Sequence, residues 1–161
     1  EHCCKSSIMK QRVYIDTSVA GGCFDKEFAE DSNALFERFH KKEIIAVISQ
    51  TTLRELADAP KEVQEAVRRL PADSVEIVPE TQDGSDLAES YLAAGAVSRK
   101  FSLDALHIAV ATTARVHVLV SWNFKHIVNL QRIRAYNSVN VREGYPPLEI
   151  RSPKEVIDAK D

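Results

Sequence analysis

Three short apolar runs constrain this chain most: RVYID (12–16), EIIAVIS (43–49) and VHVLVS (116–121). They are rich in β-branched residues, and the second and third lack the apolar–polar alternation of a half-exposed strand. Runs that are apolar throughout fit strands buried on both faces, as in a parallel sheet covered by helices. A fourth strand is predicted for SVEIVP (74–79). Between the runs, apolar residues return at helical spacing. Helices are predicted over 28–42, 51–59, 61–70, 81–99, 102–116 and 123–136, with Ser102 as the cap of the fifth. The segment 17–23 reads as a Gly-containing turn. SVNVREGYPPLEI reads as a short strand, a Pro-rich loop and a second extended piece. SPKEVID reads as a capped helical turn with proline at its first position. The alternation implies an α/β domain with a mainly parallel sheet. Asp16 and Ser121 then lie at the carboxyl ends of strands, where open parallel sheets place their ligands.

The chain has 161 residues, of which 44% are hydrophobic and 28% charged, which fits one globular domain. The net charge of −3 lacks the basic footprint of a protein that holds nucleic acid by bulk charge. A polyanion would have to be gripped locally. Three cysteines, two of them adjacent (Cys3, Cys4 and Cys23), make a poor disulfide framework and fit a reducing cytoplasmic setting. Neither a secretory signal nor a membrane-length apolar run is visible. The sole methionine, Met9, precedes KQRVYID. This suggests a single domain over 9–161, with 1–8 a cloning remnant or a disordered upstream extension.

Three acids stand in apolar company: Asp16 at the end of the first strand, Glu55 in LRELA, and Asp104 in SLDALHIA. Each has an ordinary reading. Asp16 can cap the following turn, Glu55 can close a capping box with Thr52, and Asp104 can answer the helix dipole. Held together, however, three carboxylates repel. A hard divalent cation such as Mg²⁺ or Mn²⁺ would relieve that repulsion and could assist phosphodiester hydrolysis.

In order, YIDTSV, TTLRELA, LDALHIAVA and VLVSWNFKHI resemble the motifs of the PIN-domain family of metal-dependent nucleases. The likeness is strongest to the small toxin ribonucleases of VapBC-type toxin–antitoxin systems and spans about residues 12 to 130. It implies a three-layer α/β/α PIN-like fold. It also implies an endoribonuclease site in which Asp16, Glu55 and Asp104 hold one or two Mg²⁺ or Mn²⁺ ions that activate the attacking water. A homodimer and a cognate antitoxin, which sets a basic side chain among the carboxylates, are implied as partners beside the RNA substrate. The sequence departs from the family where many members carry a fourth acid. Asn123 stands there and offers a neutral oxygen as an uncharged metal ligand. Ser18 and Ser121 are supporting hydroxyls in this scheme, although either also fits an ordinary turn or cap.

Arg99, Lys100 and Trp122 are the RNA-contact candidates. Solvated surface is the default for the two cations, and a core or dimer anchor is an equal reading for the indole. His107, three residues after Asp104, is a ligand, a proton shuttle or, preferably, a packed and hydrogen-bonded histidine. His126 reads as an exposed helix residue and His117 as structural. A catalytically weak PIN-like module that binds RNA or protein is the competing function, motivated by the missing acid. An aspartyl-phosphate enzyme would want a second Asp where Ser18 stands. A nucleotide-binding enzyme would want a GxGxxG or GxxxxGK[ST] loop, which TSVAGG is not.

Overall fold

The computed structural model describes residues 9–159. The expected remnant or extension at 1–8 therefore lies outside the described residues. Five strands form one sheet: β1 (Arg12–Ile15), β2 (Ile45–Ser49), β3 (Val75–Val78), β4 (Val118–Val120) and β5 (Ile150–Arg151). Their order is β3-β2-β1-β4-β5 and every pairing is parallel. Eight α-helices accompany them: α1 (Thr17–Gly22), α2 (Ala29–His40), α3 (Gln50–Ala57), α4 (Lys61–Arg68), α5 (Gln82–Ala93), α6 (Ser102–Thr113), α7 (Leu130–Arg142) and α8 (Pro153–Asp158).

Period-two alternation divides the core. Tyr14, Val47, Val78, Leu119 and Ile150 face one way, against Leu87 and Tyr91 of α5, Ile108 of α6 and Tyr136 and Val139 of α7. Val13, Ile15, Ala46, Ile48, Val118 and Val120 face the other, against Val19 of α1, Leu35 and Phe39 of α2, Leu56 of α3 and Val63 of α4. Both faces are buried, so the strands are apolar throughout, and the architecture is a three-layer α/β/α sandwich. Strand order reverses beside β1, between β2 and β4. The crevice beyond the carboxyl ends at such a switch point is where this class of fold binds ligands.

Several boundaries differ from the sequence expectation. Residues 17–22 form α1 rather than a turn, because burying Val19 and Ala20 outweighs the poor helix propensity of TSVAGG. The expected helix 81–99 ends at Ala93, where Gly95 adopts φ +73; a 3₁₀ turn, Arg99–Phe101, follows. Ser102 is the first residue of α6 rather than its cap, and Phe101 occupies the cap position without a side-chain bond. Residues 123–129 are turns, and Asn129 caps α7 by accepting from the Arg132 N–H. SVNV belongs to α7 rather than to a strand, since Tyr136, Val139 and Asn140 are buried at helical spacing. The closing helix has its capping box, Ser152 with Glu155. Among the described residues no helix is long and apolar enough to cross a membrane.

Candidate active site

Register builds the centre of the site. Ile15 pairs with Val120, so the next residues, Asp16 and Ser121, face each other just beyond the sheet. Ser121 Oγ donates to Asp16 Oδ2 at 2.6 Å, and Ser18 Oγ donates to Oδ1 at 2.5 Å. Both carboxylate oxygens are thus held by hydroxyls. Asp16 sits at the cap position of α1 but makes no side-chain cap bond, which removes the capping explanation for it. The next layer fixes the hydroxyls: the Trp122 N–H donates to Ser18 Oγ at 3.0 Å and the Asn123 N–H donates to Ser121 Oγ at 3.0 Å.

Glu55 projects from the middle of α3. The cap of this helix is Ser49, which accepts from the Thr52 N–H, so Thr52 and Glu55 form no capping box. Glu55 instead bonds the imidazole Nε2 of His107. Asp104 lies in the first turn of α6, where the helix dipole favours it. Its Oδ1 accepts from Asn123 Nδ2 at 3.3 Å.

The electrostatics are those of crowded acids. Burial pushes the Asp16 carboxyl above its ordinary range; His107 and the two serines oppose that shift, and Glu55 adds to it. Asp104 is likewise raised, by burial first, against the pull of His107 and His126 and with added push from Asp16 and Glu55. Burial alone would lower the His107 pKa, but the Glu55 bond and the charges of all three acids leave it raised. The acids therefore feel one another. Among the described residues, however, no group of three or more His, Cys, Asp or Glu side chains is placed so that it could hold a metal ion. Mg²⁺ does not need one: it keeps several waters and takes one or two carboxylates plus substrate phosphate oxygens. An all-oxygen donor set of mutually repelling acids fits such an ion. Thr17 Oγ1, next to Asp16, and His126 Nδ1, in the turn carrying Asn123, are buried without a protein partner.

No family model and no curated protein sequence matches the chain. Among solved structures, it is similar to VapBC2 from Rickettsia felis, with a TM-score of 0.56 and 15% identity over 88% of this chain and 98% of that one. It is similar to a toxin–antitoxin complex from Klebsiella pneumoniae, with a TM-score of 0.53 and 20% identity over 74% and 93%. It is also similar to VapC20 of Mycobacterium tuberculosis, described as a sarcin–ricin loop cleaving toxin, with a TM-score of 0.54 and 17% identity over 71% and 92%. The fold is PIN-like. Identities this low carry the fold, and the chemistry has to be argued from the side chains.

On this PIN-like frame the sequence candidates fall unevenly. Asp16, Glu55 and Asp104 lie near enough to influence one another's charge without forming a group of metal-ligating side chains, and Ser18 and Ser121 support Asp16. Asn123 is turned differently from expectation. Its Oδ1 accepts from the His126 N–H at 2.9 Å. A backbone N–H can only donate, which fixes the amide orientation. Asn123 thus engages one lone pair of its oxygen in the turn and shows Asp104 a donor.

Trp122 is buried, stacks on Phe28 with centroids 4.2 Å apart, and donates its indole N–H to Ser32 Oγ at 2.8 Å. That packing makes it an anchor between α1 and α2 rather than a platform for a base. Arg99 is paired with Glu89 at 2.6 Å, and Lys100 lies 5.7 Å from the Phe101 ring centroid. Both cations stand in the 3₁₀ turn that precedes α6. His117 is structural, accepting from the Arg12 N–H. His126 lies in a turn rather than a helix and is stacked on Phe101.

Sequence reading missed Glu80, an acid beyond β3 that accepts from Thr51 at 2.7 Å and is neutralised by Arg54. It also missed Tyr14 and Ser49 as polar neighbours of His107. Ser49 ends β2 as Asp16 ends β1, and that parallel was the available signal. Cavities of about 440 Å³, beside Phe24 and Phe36, and about 490 Å³, beside Arg38 and Glu149, contain none of the three acids. A polymer cut at its backbone needs an open cleft more than a deep pocket, so the position of the acids outweighs cavity size.

Proposed function

We propose that the chain is a divalent-metal-dependent endoribonuclease and the toxin of a toxin–antitoxin pair. The observation that carries this reading is the buried carboxylate of Asp16, held open by Ser18 and Ser121 beside Glu55 and Asp104 at the switch point of the sheet. When bound, Mg²⁺ or Mn²⁺ would supply Lewis-acid stabilisation of phosphate charge and a water made acidic enough to attack. The chain's own part is to bind and orient. Asp16, Glu55 and Asp104 are the ligands in this reading, and the two hydroxyls keep Asp16 from turning away. Asn123 steadies Asp104, and Arg99 and Lys100 are the cations that would meet RNA phosphates in this reading.

A cognate antitoxin belongs to the same proposal. The under-neutralised acids are a natural seat for a basic side chain, and one of the similar structures is described as a toxin–antitoxin complex. A homodimer belongs to the same proposal, with the exposed Leu103, Phe124 and Leu130 as the apolar residues such an interface would cover. The cysteine pattern supports a cytoplasmic setting.

The test is cleavage of a mixed RNA set, including a sarcin–ricin hairpin, in Mg²⁺, Mn²⁺ or EDTA, with wild type beside Asp104→Asn. The expected result is cleavage that needs metal and is lost in the variant. Cleavage that survives EDTA or Asp104→Asn refutes the reading. One observation favours the competing, weakly catalytic binding module: Asn123 replaces an acid and presents a donor to Asp104. RNA retention without cleavage in any metal would establish that alternative.

A further inference from the structure

His107 is a buried ionisable group near the site that the proposed chemistry leaves without a task. Its side chain is 2% exposed, whereas the Glu55 carboxylate that it touches is 29% exposed. Behind it runs a closed polar chain. His107 Nδ1 lies 2.7 Å from Tyr14 Oη, Tyr14 Oη lies 2.7 Å from Ser49 Oγ, and Ser49 Oγ accepts from the Thr52 N–H at 3.2 Å.

The ends of this chain fix its polarity where it matters. Thr52 Oγ1 is 3.3 Å from the Ile15 carbonyl, which only accepts, so Thr52 donates there. At the other end an ionised carboxylate only accepts, so His107 faces Glu55 with Nε2–H, whether Nδ1 accepts from Tyr14 or, in the imidazolium, donates to it. Three elements meet in the relay: Tyr14 is in β1, Ser49 ends β2, and His107 is in α6 opposite α3.

We propose that His107 is a positioning residue for Glu55. Through Nε2–H it pins one carboxylate oxygen, and Tyr14 and Ser49 lock the imidazole from behind, so that the other oxygen is presented to a divalent cation. This rests on the metallonuclease reading above. An unpinned glutamate at the surface of α3 would sample several rotamers, and ordering it would have to accompany metal binding. Groups that orient a metal-ligating side chain in this way change metal affinity by roughly ten- to a hundredfold when removed.

The experiment is Mn²⁺ titration by calorimetry on the full chain, with near-UV circular dichroism confirming the fold of each protein. The set is wild type, Glu55→Gln, His107→Leu, His107→Gln and Tyr14→Phe. Wild type is expected to bind and Glu55→Gln to lose most affinity. His107→Leu should bind about ten- to a hundredfold more weakly. His107→Gln, which restores an N–H donor, should recover part of that loss, and Tyr14→Phe should fall between wild type and His107→Leu. If His107→Leu does not fold, the Gln and Tyr14→Phe variants decide. Folded variants at these two positions that bind Mn²⁺ as wild type does overturn this inference alone. A wild-type chain that binds no Mn²⁺ overturns the metal reading and the inference with it.

Discussion

Gly22 closes α1 where the chain passes closest to Trp122. A Cβ built there would stand 2.5 Å from Ser32 Oγ, 2.6 Å from Trp122 Nε1 and 3.0 Å from Trp122 Cδ1. None of these atoms is free to retreat. Ser32 Oγ donates to the Val19 carbonyl at 2.8 Å and accepts the indole N–H at 2.8 Å, and the indole is stacked on Phe28. Gly22→Ala must therefore push the indole off its serine or move the end of α1. Overpacking of a filled core costs about 1–3 kcal/mol, and the lost Trp–Ser bond adds about 1 kcal/mol. The sum is a destabilisation of about 2–4 kcal/mol, or roughly 4–16 °C in Tm for a domain of this length.

Trp122 is the only tryptophan, so urea unfolding followed by its emission reports both the stability and the local event. Gly21→Ala is the matched control. Nothing lies within 4 Å of a Cβ there, and alanine in a helix is favoured by up to about 1 kcal/mol over glycine. Gly22→Ala as stable as wild type, with unchanged emission, would refute the packing argument. Equal losses in both variants would shift the cause from contact to backbone.

Ser121→Ala should leave Asp16 Oδ2 without its donor, cost about 1.5–3 kcal/mol as a lost charge-assisted bond, and weaken Mn²⁺ binding; wild-type denaturation and titration curves would contradict this. Arg12→Met removes a fork to Glu76 at 2.7 Å and bonds to the Ala114 and Arg115 carbonyls. Because Arg12 lies at the amino end of β1, stability should fall by about 1–2 kcal/mol with RNA cleavage unchanged; cleavage lost in a folded variant would show that the two ends of the sheet are coupled. Finally, Asp16, Asp104 and His107 all have raised folded pKa values. A raised group contributes stability that is fully present below its unfolded pKa and lost as pH rises through the folded one. The metal-free chain should therefore lose stability as pH climbs from about 5 to 8. Saturating Mn²⁺, which favours the ionised acids, should raise Tm most at the upper end; a metal-free Tm that rises steadily over that interval contradicts the assignment.

The five-stranded frame was largely legible because strands buried on both faces are apolar without interruption, and β1, β2 and β4 have that pattern. The errors lie where tertiary burial overrode local preference. TSVAGG has two glycines and β-branched residues, yet Val19 and Ala20 find the core and α1 forms. SVNV looks extended because valines alternate in it. The face that packs, however, runs Tyr136, Val139 and Asn140, a spacing visible only when the window reaches back to residue 136. Phe124, Ile127 and Val128 carry helical spacing into the turns before α7; Asn123 and Asn129 both accept from the backbone N–H three residues on, and only the second begins a helix. The three acids could be picked out because each sits among apolar neighbours. The role of His107 could not: its place three residues after Asp104 indicates a helix face, but its partners Glu55 and Tyr14 are 52 and 93 residues away.

The acids of this protein fall into two electrostatic kinds, and the difference bears on what the central three are for. Glu76 has Arg12, Glu80 has Arg54, and Glu89 has Arg99. In each case an acid that serves structure is matched by a full positive charge. Asp16 and Asp104 are more buried than any of these, yet their partners are the hydroxyls of Ser18 and Ser121 and the amide of Asn123. Hydroxyls and amides orient a carboxylate but neutralise nothing. Taking a carboxylate out of water costs several kcal/mol, and two charge-assisted bonds at about 1.5–3 kcal/mol each offset that cost only in part, in keeping with the raised pKa of Asp16. Selection for stability alone would favour an arginine at one of these positions, as it has elsewhere in the fold. Holding three acids in place with His107 as the buried positive charge among them makes physical sense if further positive charge arrives from outside. A divalent cation with an RNA phosphate would supply it, and so would the basic side chain of an inhibitor.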